Sequence, residues 1–227
     1  MAAEATFRRR ILAHRGMWDE VAQQNSLDAL VDALSAGFGV EFDVRDQHGE
    51  LVLSHDVPIA QCPSFSSFCE ELQKRNIIQN ALLAINVKSD GLLPLVSQSL
   101  PLLRSASVFF FDMSLPQQVQ YRDVGLPVAI RLSEYEHDLL RAPDLHHGEP
   151  IWLDGFDSDW WLTEGRVIER LKSRALYVVS PELHGRNPEA VWDWAATKLA
   201  EGWNVSVCTD HPHRVEERFK SVDLLEI

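Results

Sequence analysis

Two short stretches pose a chemical question. Residues 12–16 read LAHRG, and residues 40–45 read VEFDVR. Side chains two apart on a strand share a face, so Glu41 and Asp43 point together, with Arg45 next in line. A buried strand ordinarily avoids charge at interior positions. Like charges held that close repel unless something cationic sits between them. The residues that follow each stretch should therefore supply, or hold, that cation.

The elements that must position these groups repeat one pattern, an apolar run followed by a helix-like stretch. Eight strands are expected at 10–14, 40–45, 81–88, 107–111, 128–132, 151–153, 176–180 and 204–208. Between them, residues 24–36 place Leu27, Leu30, Val31 and Leu34 at helical spacing. Asn25 or Ser26 is available as the cap and Gly37 as the stop. Residues 66–75, 92–103, 165–173 and 188–201 read similarly. The alternation breaks once: DQHGE joins VEFDVR to LVLSHD as a β-hairpin. The polar, proline-interrupted stretch 133–150 should be an irregular connection.

Eight such units predict an α/β fold, a TIM (β/α)8 barrel built as a single compact domain over residues 1–227, with the hairpin after its second strand. An open doubly wound sheet is the alternative, but no GxGxxG follows the first strand. In such barrels chemistry sits at the carboxyl ends of the strands. Those ends carry His14, Arg15, Glu41, Asp43, His55, Asn86, Lys88, Asp112, Arg131, Asp154, Glu182 and Asp210. This polar ring has the composition that phosphate chemistry with a metal needs. Taken singly, each member could be a solvated strand end; the set is harder to explain that way.

Composition sets further bounds. With 227 residues, 45% of them hydrophobic, the chain can bury a full core. A net charge of -13 argues against nucleic acid as a partner and against electrostatic attachment to an anionic membrane. Three cysteines are too few and too unevenly numbered for a disulfide framework. The first 16 residues leave no room for the apolar core of a signal peptide, and no run reaches the ~18 apolar residues of a membrane span. The expectation is a cytoplasmic protein with a small-molecule partner and no stable membrane anchor.

In order, AHRG, NSLDAL and GVEFDVRDQHGELVLSHD closely resemble the glycerophosphodiester phosphodiesterase family, among the phospholipase-C-like phosphodiesterase barrels. The resemblance is continuous over residues 12–56, with weaker echoes at AINVK and VCTDHP. It implies that Glu41 and Asp43 are ligands of one divalent cation, Mg2+ or Ca2+, which favour carboxylate oxygens and can bridge to phosphate. It implies that His14 and His55 are the acid/base pair, that Arg15 holds phosphate oxygens, and that Lys88 adds positive charge in the transition state.

This chain also departs from the family pattern. Asn86 stands where a third acidic ligand is expected; its amide oxygen suits the cation but brings no charge. Asp112, on the neighbouring strand, or Glu182 could supply the missing carboxylate, and Glu182 could instead contact substrate. The pattern Pro-Glu-Asn becomes Gln23-Gln24-Asn25, which weakens glycerol-specific expectations. Trp160 and Trp161 are expected to pack rather than stack on a ligand. The histidines in DHPH (210–213) and His146-His147 are expected on surface loops rather than on zinc. The expected function is hydrolysis of a glycerophosphodiester or related phosphodiester. The alternatives are a lyase that stops at a cyclic phosphate and a degenerate barrel that binds a phosphorylated ligand without turnover.

Overall fold

A computed structural model describes residues 7–136 and 148–223. The chain divides into two units, Leu12–Val128 and Met1–Ile11 with Ala129–Ile227.

In the Leu12–Val128 unit, short β-rich runs form β1 (Ile11–His14), β2 (Gly39–Gln47), β4 (Leu82–Val87) and β5 (Ser107–Phe111), paired parallel in the order β5-β4-β2-β1. The hairpin is present: β3 (Glu50–Leu53) returns antiparallel on β2, with Gln47 opposite Glu50. Register fixes the neighbours that matter. His14 lies beside Glu41, Asp43 beside Asn86, and Asn86 beside Phe111, the residue before Asp112. The helix Leu27–Ser35 starts where Ser26 accepts a hydrogen bond from the Ala29 amide, and it buries Leu30, Val31 and Leu34 on one face. The helix Phe65–Lys74 begins with the same device at Ser64. Its Phe65 and Phe68 close on Phe42, the residue between the two carboxylates of β2, at ring-centroid distances of 6.1 and 5.2 Å. Alternation on β2 thus sends Phe42 to the core and Glu41 and Asp43 to the opposite face.

In the other unit β6 (Ile130–Leu132), β7 (Ile151–Leu153), β8 (Leu176–Val179) and β9 (Val205–Thr209) pair parallel in sequence order. The helices Glu189–Ala200 and Pro212–Asp223 follow β8 and β9 and bury Trp192, Val215 and Phe219.

Differences from the sequence reading are local. The helix expected at 92–103 is Leu93–Ser99 continued by a 3-10 turn, Leu100–Leu103, which carries a proline in its first turn. The helix expected at 165–173 ends at Glu169. The helix Leu115–Asp123 was not expected. DHPH is not a loop throughout: Pro212 opens a helix, a position where the missing N–H costs nothing. Of the connection expected over 133–150, residues 137–147 lie outside the described residues, as do His146 and His147. Cys62, Cys69 and Cys208 are free thiols.

Candidate active site

The site begins where β1 ends. After His14 the backbone turns through Arg15 and Gly16, both at positive φ (57° and 94°). A side chain at residue 16 has no space, because an added Cβ would lie 2.5 Å from the Ala29 carbonyl carbon. Glycine is therefore required twice over, by φ and by the approach of the helix Leu27–Ser35. The Arg15 amide donates to the Glu41 carbonyl at 2.8 Å, and the Asn25 amide to the Arg15 carbonyl at 3.0 Å, which fixes the turn against β2.

Asp43 is the centre of the constellation and is fully buried. Arg15 Nε lies 2.9 Å from its Oδ2, and Lys88 Nζ 3.3 Å from its Oδ1. Asn25 Nδ2 donates to Oδ2 at 2.8 Å, while Asn25 Oδ1 accepts from the Asp43 amide at 3.1 Å. Burial alone would raise the Asp43 pKa. Lys88, Arg15 and the Asn25 hydrogen bond outweigh it, and the carboxyl sits below its ordinary value.

Glu41, equally hidden, has the opposite balance. Burial and the neighbouring Asp43 charge push its pKa up to about 7, against smaller opposing effects of His14, Lys88 and Arg15. Its Oε2 lies 3.9 Å from His14 Nε2, too far for a hydrogen bond. Lys88 also approaches Asp112 Oδ2 at 3.6 Å, and Asp112 stands in the left-handed region at φ 70°. Arg15, Asn25 and Asp112 are three of the five non-glycine residues at positive φ among those described, a concentration typical of functional sites.

His55 follows the hairpin. Ser54 donates its amide to the Asp43 carbonyl at 3.1 Å, which ties this segment to β2. The His55 ring is 44% exposed, with Nδ1 2.8 Å from Asp56 Oδ1, so Nε2 is the nitrogen left to act on a ligand. Its charge contributes to lowering the Asp43 pKa.

Of the residues expected from sequence, His14, Arg15, Glu41, Asp43, His55, Asn86, Lys88 and Asp112 all belong to the Leu12–Val128 unit. Glu182 belongs to the other. There its carboxylate accepts hydrogen bonds from Ser180 Oγ, Thr209 Oγ1 and the Asp210 amide, stapling the ends of β8 and β9. Nearby, His184 Nε2 bonds Asp154 at 2.8 Å, and Arg186 bonds Asp159 and the Gly155 carbonyl. Trp161 is buried. Sequence reasoning missed Asn25, which it took for a possible helix cap, and Gln24, whose Oε1 accepts from Arg15 Nη1 at 2.9 Å. The available signal was redundancy: Asn25 and Ser26 are both cap-forming types, and a helix needs one.

A hard cation needs convergent oxygens. Glu41 Oε2, Asp43 Oδ1 and Asn86 Oδ1 are buried without hydrogen-bond partners among the described residues, a condition that costs free energy unless a ligand relieves it. Among those residues no three His, Cys, Asp or Glu side chains form a metal cluster. The oxygen set here is two carboxylates and an amide, which still fits Mg2+ or Ca2+ chemistry.

Comparison with solved structures gives the same architecture. The chain resembles a glycerophosphodiester phosphodiesterase from Agrobacterium tumefaciens, with TM-score 0.62 and 20% identity over 94% of this chain and 98% of that one. It also resembles a glycerophosphoryl diester phosphodiesterase from Parabacteroides distasonis, with TM-score 0.58 and 15% identity over 97% and 92%. The fold is the (β/α)8 barrel. No family model and no curated protein matches the sequence. Among the described residues, no helix is long and apolar enough to cross a membrane.

Proposed function

We propose that the protein is a metal-dependent phosphoric diester hydrolase that cleaves glycerophosphodiesters to glycerol 3-phosphate and an alcohol. The observation that carries this reading is the buried oxygen set: Glu41 Oε2 and Asn86 Oδ1, without hydrogen-bond partners among the described residues, and Asp43 Oδ1, which has Lys88 3.3 Å away but no hydrogen bond. A site built only for structure would have paired Glu41 Oε2 and Asn86 Oδ1.

Glu41, Asp43 and Asn86 would hold one Mg2+ or Ca2+, with Asp112, 3.6 Å from Lys88, as the candidate for a further carboxylate. When bound, the ion supplies Lewis-acid polarisation of a phosphoryl oxygen. Arg15, with Nε held by Asp43 and Nη1 by Gln24, offers its remaining Nη donors to the phosphate. Lys88 answers the negative charge that builds on the equatorial oxygens. Of His14 and His55, one accepts the proton of the attacking oxygen and the other protonates the departing alkoxide. With Nδ1 engaged by Asp56, His55 presents Nε2 in one orientation.

The test is a panel of soluble glycerophosphodiesters with Mg2+, with Ca2+ and with chelator, run beside a His14→Ala variant. Release of glycerol phosphate that chelator and the variant both abolish is the expected result. Cleavage of a generic activated diester without cleavage of the glycerol panel would leave the chemistry and remove the substrate. Ligand binding with no turnover of any diester would overturn the enzyme reading.

A further inference from the structure

Two consecutive residues hold the two partners of the Arg15–Asp43 ion pair. Arg15 Nε lies 2.9 Å from Asp43 Oδ2. Asn25 takes the Asp43 side: its Nδ2 donates to Oδ2 at 2.8 Å, and its Oδ1 accepts from the Asp43 amide at 3.1 Å. Gln24 takes the Arg15 side, its Oε1 accepting from Nη1 at 2.9 Å. The Asn25 amide, donating to the Arg15 carbonyl at 3.0 Å, ties the pair of amides to the turn after β1.

The half-buried Gln24 reaches Arg15 from a fixed base. The 3-10 turn Val21–Gln23 before it is capped in both directions. Gln23 Oε1 accepts from the Asp19 and Glu20 amides, each at 2.9 Å, while the Glu20 side chain accepts from the Gln23 amide. The Gln24 amide then donates to the Val21 carbonyl at 3.2 Å.

What matters chemically is the charge that Gln24 lacks. A guanidinium on a flexible stem serves a ligand best when its orientation is already fixed. A carboxylate at position 24 would fix it, but would also cancel its charge. Asp43 is already an anion on Arg15, shared with Lys88 at 3.3 Å. A neutral amide oxygen orients Nη1 and leaves the charge to whatever binds. Residue 24 is also where the resembled pattern Pro-Glu-Asn has its glutamate, so this chain carries one anion fewer beside Arg15.

We propose that Gln24 is a positioning residue that sets both the orientation and the uncancelled charge of Arg15, and thereby how tightly the site takes a phosphate anion. Naming the anion as phosphate rests on the phosphodiesterase reading of the site.

Calorimetric titration with glycerol 3-phosphate in Mg2+ separates orientation from charge. Gln24→Met deletes the acceptor at similar length, and it is expected to weaken binding about fivefold at every salt concentration. Gln24→Glu keeps an acceptor and adds a charge; it is expected to weaken binding at least tenfold at low salt, by a factor that shrinks as ionic strength rises. Mg2+ affinity, titrated without phosphate, should fall in neither variant, because Asn25 still holds Asp43. Either variant binding glycerol 3-phosphate as tightly as the wild type overturns the proposal, as does a Gln24→Glu loss that salt does not change. A parallel fall in Mg2+ affinity also overturns it, since Gln24 would then act through Asp43, and so does a wild type that binds no glycerol 3-phosphate. If the expected order holds while no diester is cleaved, the hydrolase reading falls and the role of Gln24 stands. If diesters are cleaved and the order is absent, the hydrolase reading stands and this inference falls.

Discussion

Replacing Glu41 by glutamine should stabilise the metal-free protein at pH 8 while removing its response to metal. Glu41 is buried, and one of its oxygens lacks a hydrogen-bond partner among the described residues. In the unfolded chain its carboxyl ionises near 4.5; in the fold burial and Asp43 hold the proton until about pH 7. Below 4.5 both states are protonated and the penalty vanishes. Between those values the unfolded chain sheds its proton first, so stability falls as pH rises, and above 7 the full penalty is present. At about 1.4 kcal/mol per pKa unit the gap amounts to roughly 3 kcal/mol. Urea unfolding with chelator, at pH 5 and pH 8, reads it directly. Glu41→Gln should gain roughly 2–3 kcal/mol relative to wild type on going from the lower to the higher pH, since part of the penalty is already present at pH 5 and constant costs of the amide cancel. Adding Mg2+ or Ca2+ should then raise the wild-type midpoint and leave the variant unmoved. A stability difference between the two proteins that does not change with pH would refute the argument, for it would mean that Glu41 is not forced to ionise in a hostile setting.

Two other perturbations test the scaffold beneath the chemistry. Gly16→Ala puts a Cβ against the Ala29 carbonyl at a positive φ; a loss of at least about 2 kcal/mol is expected, read as a fall in Tm of about 4–8 °C. Asn25→Gly keeps the left-handed backbone accessible but deletes both hydrogen bonds to Asp43. It should cost about 2 kcal/mol in urea unfolding and weaken calorimetric Mg2+ or Ca2+ binding, and unchanged metal binding would remove Asn25 from the positioning of Asp43.

The block from Leu12 to Asp56 was legible because its signals are local. Period-two alternation separates Glu41 and Asp43 from Phe42, a two-strand turn announces the hairpin, and a serine opens the helix. The helix Leu115–Asp123 escaped because one of its inward positions is Gln117. A glutamine breaks the apolar period, yet it is buried here because its side chain accepts from the Gly91 amide at 2.5 Å. Asn25 escaped for a related reason. Its partner is 18 residues away on β2, and neither composition nor spacing distinguishes an asparagine that caps a helix from one that clamps a carboxylate. Glu182 read as a strand-end acid facing a ligand; its three donors come from its own strand end and the next.

The two carboxylates on β2 answer differently to one environment. Both are buried, and the Asp43 charge raises the Glu41 pKa. Asp43 receives Arg15, Lys88 and Asn25, three side chains within 3.3 Å, and is ionised at ordinary pH. Among the described residues Glu41 has no cation that close; His14 stands 3.9 Å away. The protein has therefore neutralised one member of the pair with its own side chains and left the other to be neutralised by a proton or by something bound. Asn86 sharpens the point. A third carboxylate beside Asp43 would add repulsion that only a permanent cation could offset, whereas an amide oxygen can wait without charge. If Asn86 is a ligand, Asn86→Asp should lower stability in urea with chelator and raise affinity for Mg2+ or Ca2+ by calorimetry; an unchanged affinity would remove Asn86 from the ligand set.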